Sequence, residues 1–160
     1  QGGCVLSAHS AQIGAVRLCE RMGGVAEERE MLDRARVALE AGWRAVRDVP
    51  VDRWIGLGGT ITNLAAMQLE LRDYASHKIE QHRIDAGSAR EWLHRLCAMP
   101  LEDRRRIIGM NPARADIIPF GVAILCAFFD LSGARAVSAS DRDNLRGYLI
   151  EKLAQTLDKP

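Results

Sequence analysis

With 48% hydrophobic and 27% charged residues, a chain of 160 residues carries enough apolar material for a real core and has the composition of an ordinary globular protein. Its 22 Lys and Arg against 21 Asp and Glu leave a formal charge of +1, which excludes a general attraction to nucleic acid or to an anionic membrane. A highly charged anion would have to be met by a local site. The longest apolar stretch, 117–129, falls short of the ~20 residues a bilayer needs. The opening Gln1-Gly2-Gly3-Cys4 has neither the basic nor the long apolar segment of a signal peptide, so none is expected.

Taken in chain order, 4–8 is short and apolar and predicts a strand, and 13–22 a short helix ended by Gly23-Gly24. Leu32, Ala35, Leu39, Trp43 and Val46 recur at three- and four-residue steps and predict a long amphipathic helix over 26–48, closed by Pro50. A strand over 53–57 gives way at Gly58-Gly59 to a helix over 60–71. The polar segment 72–84 predicts a loop with room for a short strand. Helices follow over 88–99 and, with a basic face, over 101–108. The segment 116–131 is apolar nearly all round and predicts a buried helix, with Asp116 as cap and Pro119 harmless in its first turn. A strand over 134–139, a polar turn over 140–143 and a helix from Asn144 complete the order. This is a mixed α/β chain with two strand–loop–helix units.

Both of those units end a strand and open a helix, which is where open α/β sheets bind ligands and where unpaired N–H groups favour anions. The first turn is Gly58-Gly59-Thr60, with Thr62 close behind. Its glycines allow close approach of a phosphate, or else merely turn the chain while Thr60 or Thr62 caps the helix. No Gly-Lys-Ser/Thr follows, so it is not a Walker loop. The second turn, Ser140-Asp141-Arg142-Asp143-Asn144, offers caps, with Arg142 and Arg146 as phosphate ligands; it reads equally as a capped helix with solvated charges. Arg114 is a third candidate, or an exposed arginine beside a proline turn. His9, His77, His82 and His94 share no metal-ligand spacing and read as structural or surface residues. The run Arg104-Arg105-Arg106 reads as a solvated face. Cys4, Cys19, Cys97 and Cys126 are dispersed in apolar stretches and read as reduced structural thiols, which fits the cytoplasm.

Four blocks, in this order, resemble the exopolyphosphatase/guanosine pentaphosphate phosphohydrolase (Ppx/GppA phosphatase) family. They are Gly14 to Glu20 (GAVRLCE), Trp54 to Met67 (WIGLGGTITNLAAM), Met99-Pro100 with Arg104 and Arg114 to Gly121 (RADIIPFG), and Val137 to Leu149 (VSASDRDNLRGYL). The resemblance implies an actin-like, ribonuclease-H-like lobe, the second of two flanking a cleft, with a mixed sheet and flanking helices. Residues 1–160 would be one domain, part of that lobe without its N-terminal strands. It implies release of terminal phosphate from polyphosphate, or of the 5′ γ-phosphate from pppGpp, with Mg²⁺. Gly58, Gly59 and Thr60 would contact phosphate, with Ser140, Asp141 and Arg142 beside the cleft and 114–121 as the block beneath it.

The family's D-x-G-G-G-S-x-E loop has no match and is expected before residue 1, with the catalytic glutamate further upstream; no catalytic or metal-binding residue is therefore assigned in this chain. Where relatives read L-R-E-G, Leu145 stands for their Arg and Arg146 for their Glu, which leaves open whether Arg142 or Arg146 substitutes. The partners implied are polyphosphate or a guanosine polyphosphate, the first lobe and a second copy, with neither nucleic acid nor membrane. Three functional readings follow: part of a phosphohydrolase that is inactive in isolation, a binding module that senses these polyphosphates without hydrolysis, and an interaction domain whose glycine turn only caps a helix.

Overall fold

Helix α1 (Ala15–Arg21) turns Leu18 into the core. Helix α2 (Glu28–Val46) starts where the Glu27 carboxylate accepts from the backbone N–H groups of Arg29 (3.2 Å) and Glu30 (2.6 Å), a cap worth about 1 kcal/mol. Its Met31, Ala35 and Gly42 are buried, and its outer face carries the pairs Arg34–Glu30 and Arg44–Glu40 at i,i+4 spacing. Strand β1 (Ile55–Leu57) leads into α3 (Gly59–Gln68); then come α4 (Ser76–Ile79), strand β2 (Arg83–Asp85), α5 (Ala86–Ala98) and α6 (Leu101–Arg105). A 3₁₀ turn (Pro112–Arg114), the long α7 (Ile118–Ser132) and strand β3 (Ala136–Ser140) follow, and 147–150 is helical again. This computed structural model describes residues 5–142, 147–150 and 152–153.

The sheet runs β1-β3-β2. β1 lies parallel to β3 with Ile55 opposite Ser138 and Leu57 opposite Ser140, while β2 pairs antiparallel to β3. Helix α7 is the centre of the core: ten of its residues are buried, Phe120, Val122, Ala123 and Cys126 among them, and it packs against α2, α5, α1 and α3. Each large apolar side chain so buried contributes about 1.5–3 kcal/mol. Trp54 joins the layers, edge-on to Phe128 at 5.0 Å and tilted to Trp43 at 6.1 Å between ring centroids.

Several expectations need correction. Residues 5–8 form no strand; they are exposed and pair with no backbone among the described residues, and an unpaired strand has no ladder to hold it. The segment 72–84 holds helix α4 as well as the short strand, because Gln81 takes a left-handed φ of 67° and sends the chain from α4 into β2. The basic helix stops at Arg105, since the next residues turn through Gly109 (φ 85°), where a side chain would strike the Ala66 carbonyl of α3. Asp116 does not cap α7: its carboxylate accepts from the adjacent Ile117 N–H (2.9 Å), and α7 begins after a 3₁₀ turn capped by Asn111. Pro119 does sit in the first turn of α7. The second turn's residues 143–146, and Cys4, lie outside the described residues.

Candidate functional site

Because β1 and β3 are parallel and in register at Leu57 and Ser140, both turns leave the sheet at the same end. At the first, Gly58 adopts φ 92°, a backbone conformation that a side chain would strain, and so serves as the N-cap of α3. No side chain caps this helix. Thr62 bonds back to the Gly58 carbonyl, N–H at 3.1 Å and hydroxyl at 3.4 Å, and the Thr60 hydroxyl has no hydrogen-bond partner among the described residues. The first-turn N–H groups therefore have no acceptor among the described residues, and the helix presents donors and the positive end of its dipole to the cleft.

Into that space comes Arg114. It ends the 3₁₀ turn that precedes α7, and its guanidinium rests so close to Gly59 that a Cβ on Gly59 would overlap Nη1 and Cζ. Among the described residues it has no carboxylate partner, so its charge is uncompensated. One turn into α7, Gly121 gives Thr60 its room: a Cβ there would overlap the Thr60 hydroxyl. Ser10, Gln12, Arg17, Thr60 and Arg114 line a cleft of about 480 Å³ in front of the turn, with Ile13, Ile117 and Ile118 as its apolar part.

The second turn is differently occupied. Ser140 is buried and donates its hydroxyl to the Glu80 carboxylate (3.1 and 3.2 Å), which also accepts from the Asp141 N–H at 3.1 Å. Arg142 bonds through its N–H to Ser140 Oγ (3.3 Å), and its Nε lies 3.7 Å from Glu80. The Tyr74 hydroxyl donates to Asp141 Oδ1. The Tyr74 phenol is raised above its usual pKa, first by burial and then by Asp141. Glu80 and Tyr74 lie in the segment whose weak pattern predicts a loop with room for a short strand; no periodicity marks them, and only the folding of α4 onto β3, through Gln81 N–H to Ala139 O at 2.8 Å, brings them to the sheet end.

The other candidates are structural. His82 Nε2 lies 2.9 Å from Gln68 Oε1, and burial lowers its pKa; His94 Nδ1 faces Glu28 at 3.2 Å. Arg104 donates to the Met99 carbonyl at 3.0 Å, and Arg105 and Arg106 pair with Glu102 and Asp103. Burial pushes the Cys97 and Cys126 thiols up to about 11 and about 12, which keeps them unreactive. No group of three or more His, Cys, Asp or Glu that could hold a metal ion forms among the described residues. No helix among them is long and apolar enough to cross a membrane.

Comparison with known proteins identifies the family and the fold. The model of the Ppx/GppA phosphatase family matches residues 2–156, and the chain belongs to that family. It is similar to exopolyphosphatase 2 of Mycobacterium tuberculosis, 32% identical over 155 residues that cover 91% of this chain and 49% of that protein. Among solved structures, the Aquifex aeolicus member of the Ppx/GppA family superposes with a TM-score of 0.84 at 26% identity, covering all of this chain and 52% of the other. An exopolyphosphatase from Cytophaga hutchinsonii shares the fold, with a TM-score of 0.75 at 21% identity over 96% of this chain and 51% of its own. The fold is the actin-like α/β lobe of that family, and the chain spans about half the length of the relatives it matches.

Proposed function

We propose that this chain is one domain, part of the second lobe of a phosphoanhydride hydrolase, and that it supplies one wall of the phosphate cleft. The substrate is inorganic polyphosphate or the 5′ γ-phosphate of pppGpp. The observation that carries this reading is the uncapped start of α3 at Gly58-Gly59-Thr60, faced by the unpaired guanidinium of Arg114. Amide donors, a hydroxyl and a cation, brought side by side, are what a transferring phosphoryl group requires of a protein. Arg114 and the N–H groups of Gly59 and Thr60 bind and orient the terminal phosphate, and the Thr60 hydroxyl donates to it. Ser140, Asp141 and Arg142 form the neighbouring side of the wall. There the Arg142 side chain is the part that reaches the anion, while Glu80 and Tyr74 hold Ser140 and Asp141 in place.

The Mg²⁺ that the family resemblance implies would offset phosphate charge. The described residues of this chain do not by themselves form its cage; its ligands are proposed to come from the family's D-x-G-G-G-S-x-E loop, upstream of residue 1, and the base that activates water from the first lobe. Among the described residues strand β1 has one unpaired edge, and Ile55 and Leu57 are about half exposed, which supports cover by further chain. The proposed compartment is the cytoplasm, where the free thiols stay reduced, and the resemblance supports a homodimer.

The test is phosphate release from polyphosphate and from pppGpp with Mg²⁺. The protein expressed from its complete reading frame releases phosphate, and the chain Gln1–Pro160 alone does not. Binding of these ligands without turnover by the complete protein would replace the hydrolase with a sensing module.

A further inference from the structure

Of the six buried residues of α3, five are apolar and the sixth is Asn63, only 6% exposed. Its amide makes a single hydrogen bond: Nδ2 donates to the Gly109 carbonyl at 2.8 Å, while the buried Oδ1 has no partner among the described residues. A carbonyl only accepts, so the donor end of the amide must be the one that faces Gly109. A buried acceptor without a partner costs free energy, and an apolar side chain at this position would avoid that cost. The stability of α3 therefore gives no reason for an amide here, and its role lies in what it holds.

It holds the turn that leads to Arg114. Gly109 lies directly on the backbone of α3, against the Ala66 carbonyl and the Met67 N–H. The next residue, Met110, is buried, and its N–H donates to the Ile107 carbonyl at 3.0 Å. Asn111 then accepts twice: its side chain from the Ala113 N–H at 3.1 Å, and its carbonyl from the Arg114 N–H at 2.8 Å. A short chain of bonds thus runs from Asn63 to the backbone of Arg114, whose guanidinium rests on Gly59. Asn63 is itself four residues beyond Gly59, one turn along the same side of α3 and about 6 Å down its axis. The helix that offers the Gly59 and Thr60 amides therefore also anchors the cation beside them. We infer that Asn63 is a positioning residue of the phosphate site: through Gly109 and Asn111 it fixes where the Arg114 guanidinium stands over Gly59. The inference rests on the phosphate-wall reading above and adds the residue that keeps its cation in place.

The experiment is a double-mutant cycle on tripolyphosphate binding by the protein expressed from its complete reading frame, with folding checked by a denaturant melt. Asn63→Leu keeps the branched shape and removes the donor. Asn111→Ala removes the cap of the 3₁₀ turn at an exposed position, and tests the same connection where the buried substitution unfolds the protein. Asn63→Leu is expected to weaken binding by about tenfold and Asn111→Ala by about threefold. In an Arg114→Ala background neither weakens it further, because the group they place is gone. In the unliganded protein both also move the Arg114 Nε–H resonance. Equal losses with and without Arg114, an unmoved Arg114 resonance, or variants that melt earlier yet bind like the parent would overturn the positioning role alone. Failure of the unaltered protein to bind tripolyphosphate, or no loss in Arg114→Ala, would overturn the phosphate wall and this inference with it.

Discussion

The guanidinium of Arg114 occupies the space in which a side chain on Gly59 would begin, although 55 positions separate them in the chain. The neighbour that a Cβ would meet is the far end of a flexible side chain, so the structure can yield there without unfolding. Gly59 sits at the first position of α3, where Ala is the better helix former. Gly59→Ala is therefore expected to leave the denaturation midpoint unchanged or slightly raised, and to weaken tripolyphosphate binding by about tenfold as Arg114 is displaced, roughly 1.4 kcal/mol. Calorimetric titration beside a denaturant melt separates the two effects; a loss of stability without a loss of binding would make the glycine merely structural.

Removing the cation itself gives the complementary result. Arg114 is exposed and unpaired, so Arg114→Ala is expected to change stability by no more than about 0.5 kcal/mol. Phosphate release by the complete protein should fall by about 10²-fold or more. Arg114→Lys keeps the charge but loses the planar fork, and recovers only part of the rate. Full recovery by Lys would mean that a point charge suffices.

Gly121 behaves differently from Gly59, because its neighbour is the short, β-branched Thr60 rather than the tip of an arginine. Gly121→Ala forces Thr60 off its rotamer in a helix that is buried at that point. A cost of about 1–3 kcal/mol is expected, with a loss of phosphate binding alongside. Thr60→Ala, which removes both the hydroxyl and the methyl that the new Cβ would meet, should relieve much of the cost when combined with Gly121→Ala. No relief in the double variant would contradict the contact.

Glu80 gathers the Ser140 hydroxyl and the Asp141 N–H on one carboxylate. Glu80→Ala leaves the buried Ser140 hydroxyl without its acceptor and is expected to cost about 1–3 kcal/mol in urea denaturation. Glu80→Gln keeps one acceptor oxygen and costs less. If the alanine variant matches the parent midpoint, the second turn is held by something else.

Acid should loosen the α3–β2 contact through His82. Burial lowers its pKa below the usual 6.5, so the fold favours the neutral ring against Gln68. The unfolded chain binds the proton first, and the stability this residue contributes is complete above about pH 6.5 and is lost as pH falls from there towards the lower folded midpoint. An NMR titration is expected to place the His82 midpoint below 6.5, with a smaller acid-dependent loss of melting temperature in His82→Gln. A midpoint at or above 6.5 would show that burial does not govern this ring.

Much of this architecture is legible in the chain. The period of α2, the apolar α7 and the strand–glycine–helix unit at Trp54 to Met67 all appear where local pattern places them, because there local preference and burial agree. The elements that escape are those whose existence depends on a partner. Residues 5–8 look like a strand but pair with nothing among the described residues, and α4 is four residues held by its landing on β3. The same holds for the site. Gly58, Gly59 and Thr60 announce themselves by composition, whereas Arg114 reads as a third candidate or as an exposed arginine beside a proline turn until the 3₁₀ turn before α7 brings it to Gly59. Glu80 and Tyr74 carry no sequence signal; their meaning lies in what Ser140 and Asp141 require.

The most direct test of the phosphate wall is an amide NMR titration of the protein with tripolyphosphate. The account predicts that the Gly59 and Thr60 N–H resonances and the Arg114 Nε–H move together on a single saturating curve, while the α6 arginines Arg104 and Arg105 stay still. Shifts confined to α6, or none at Gly59 and Thr60 at saturation, would contradict it.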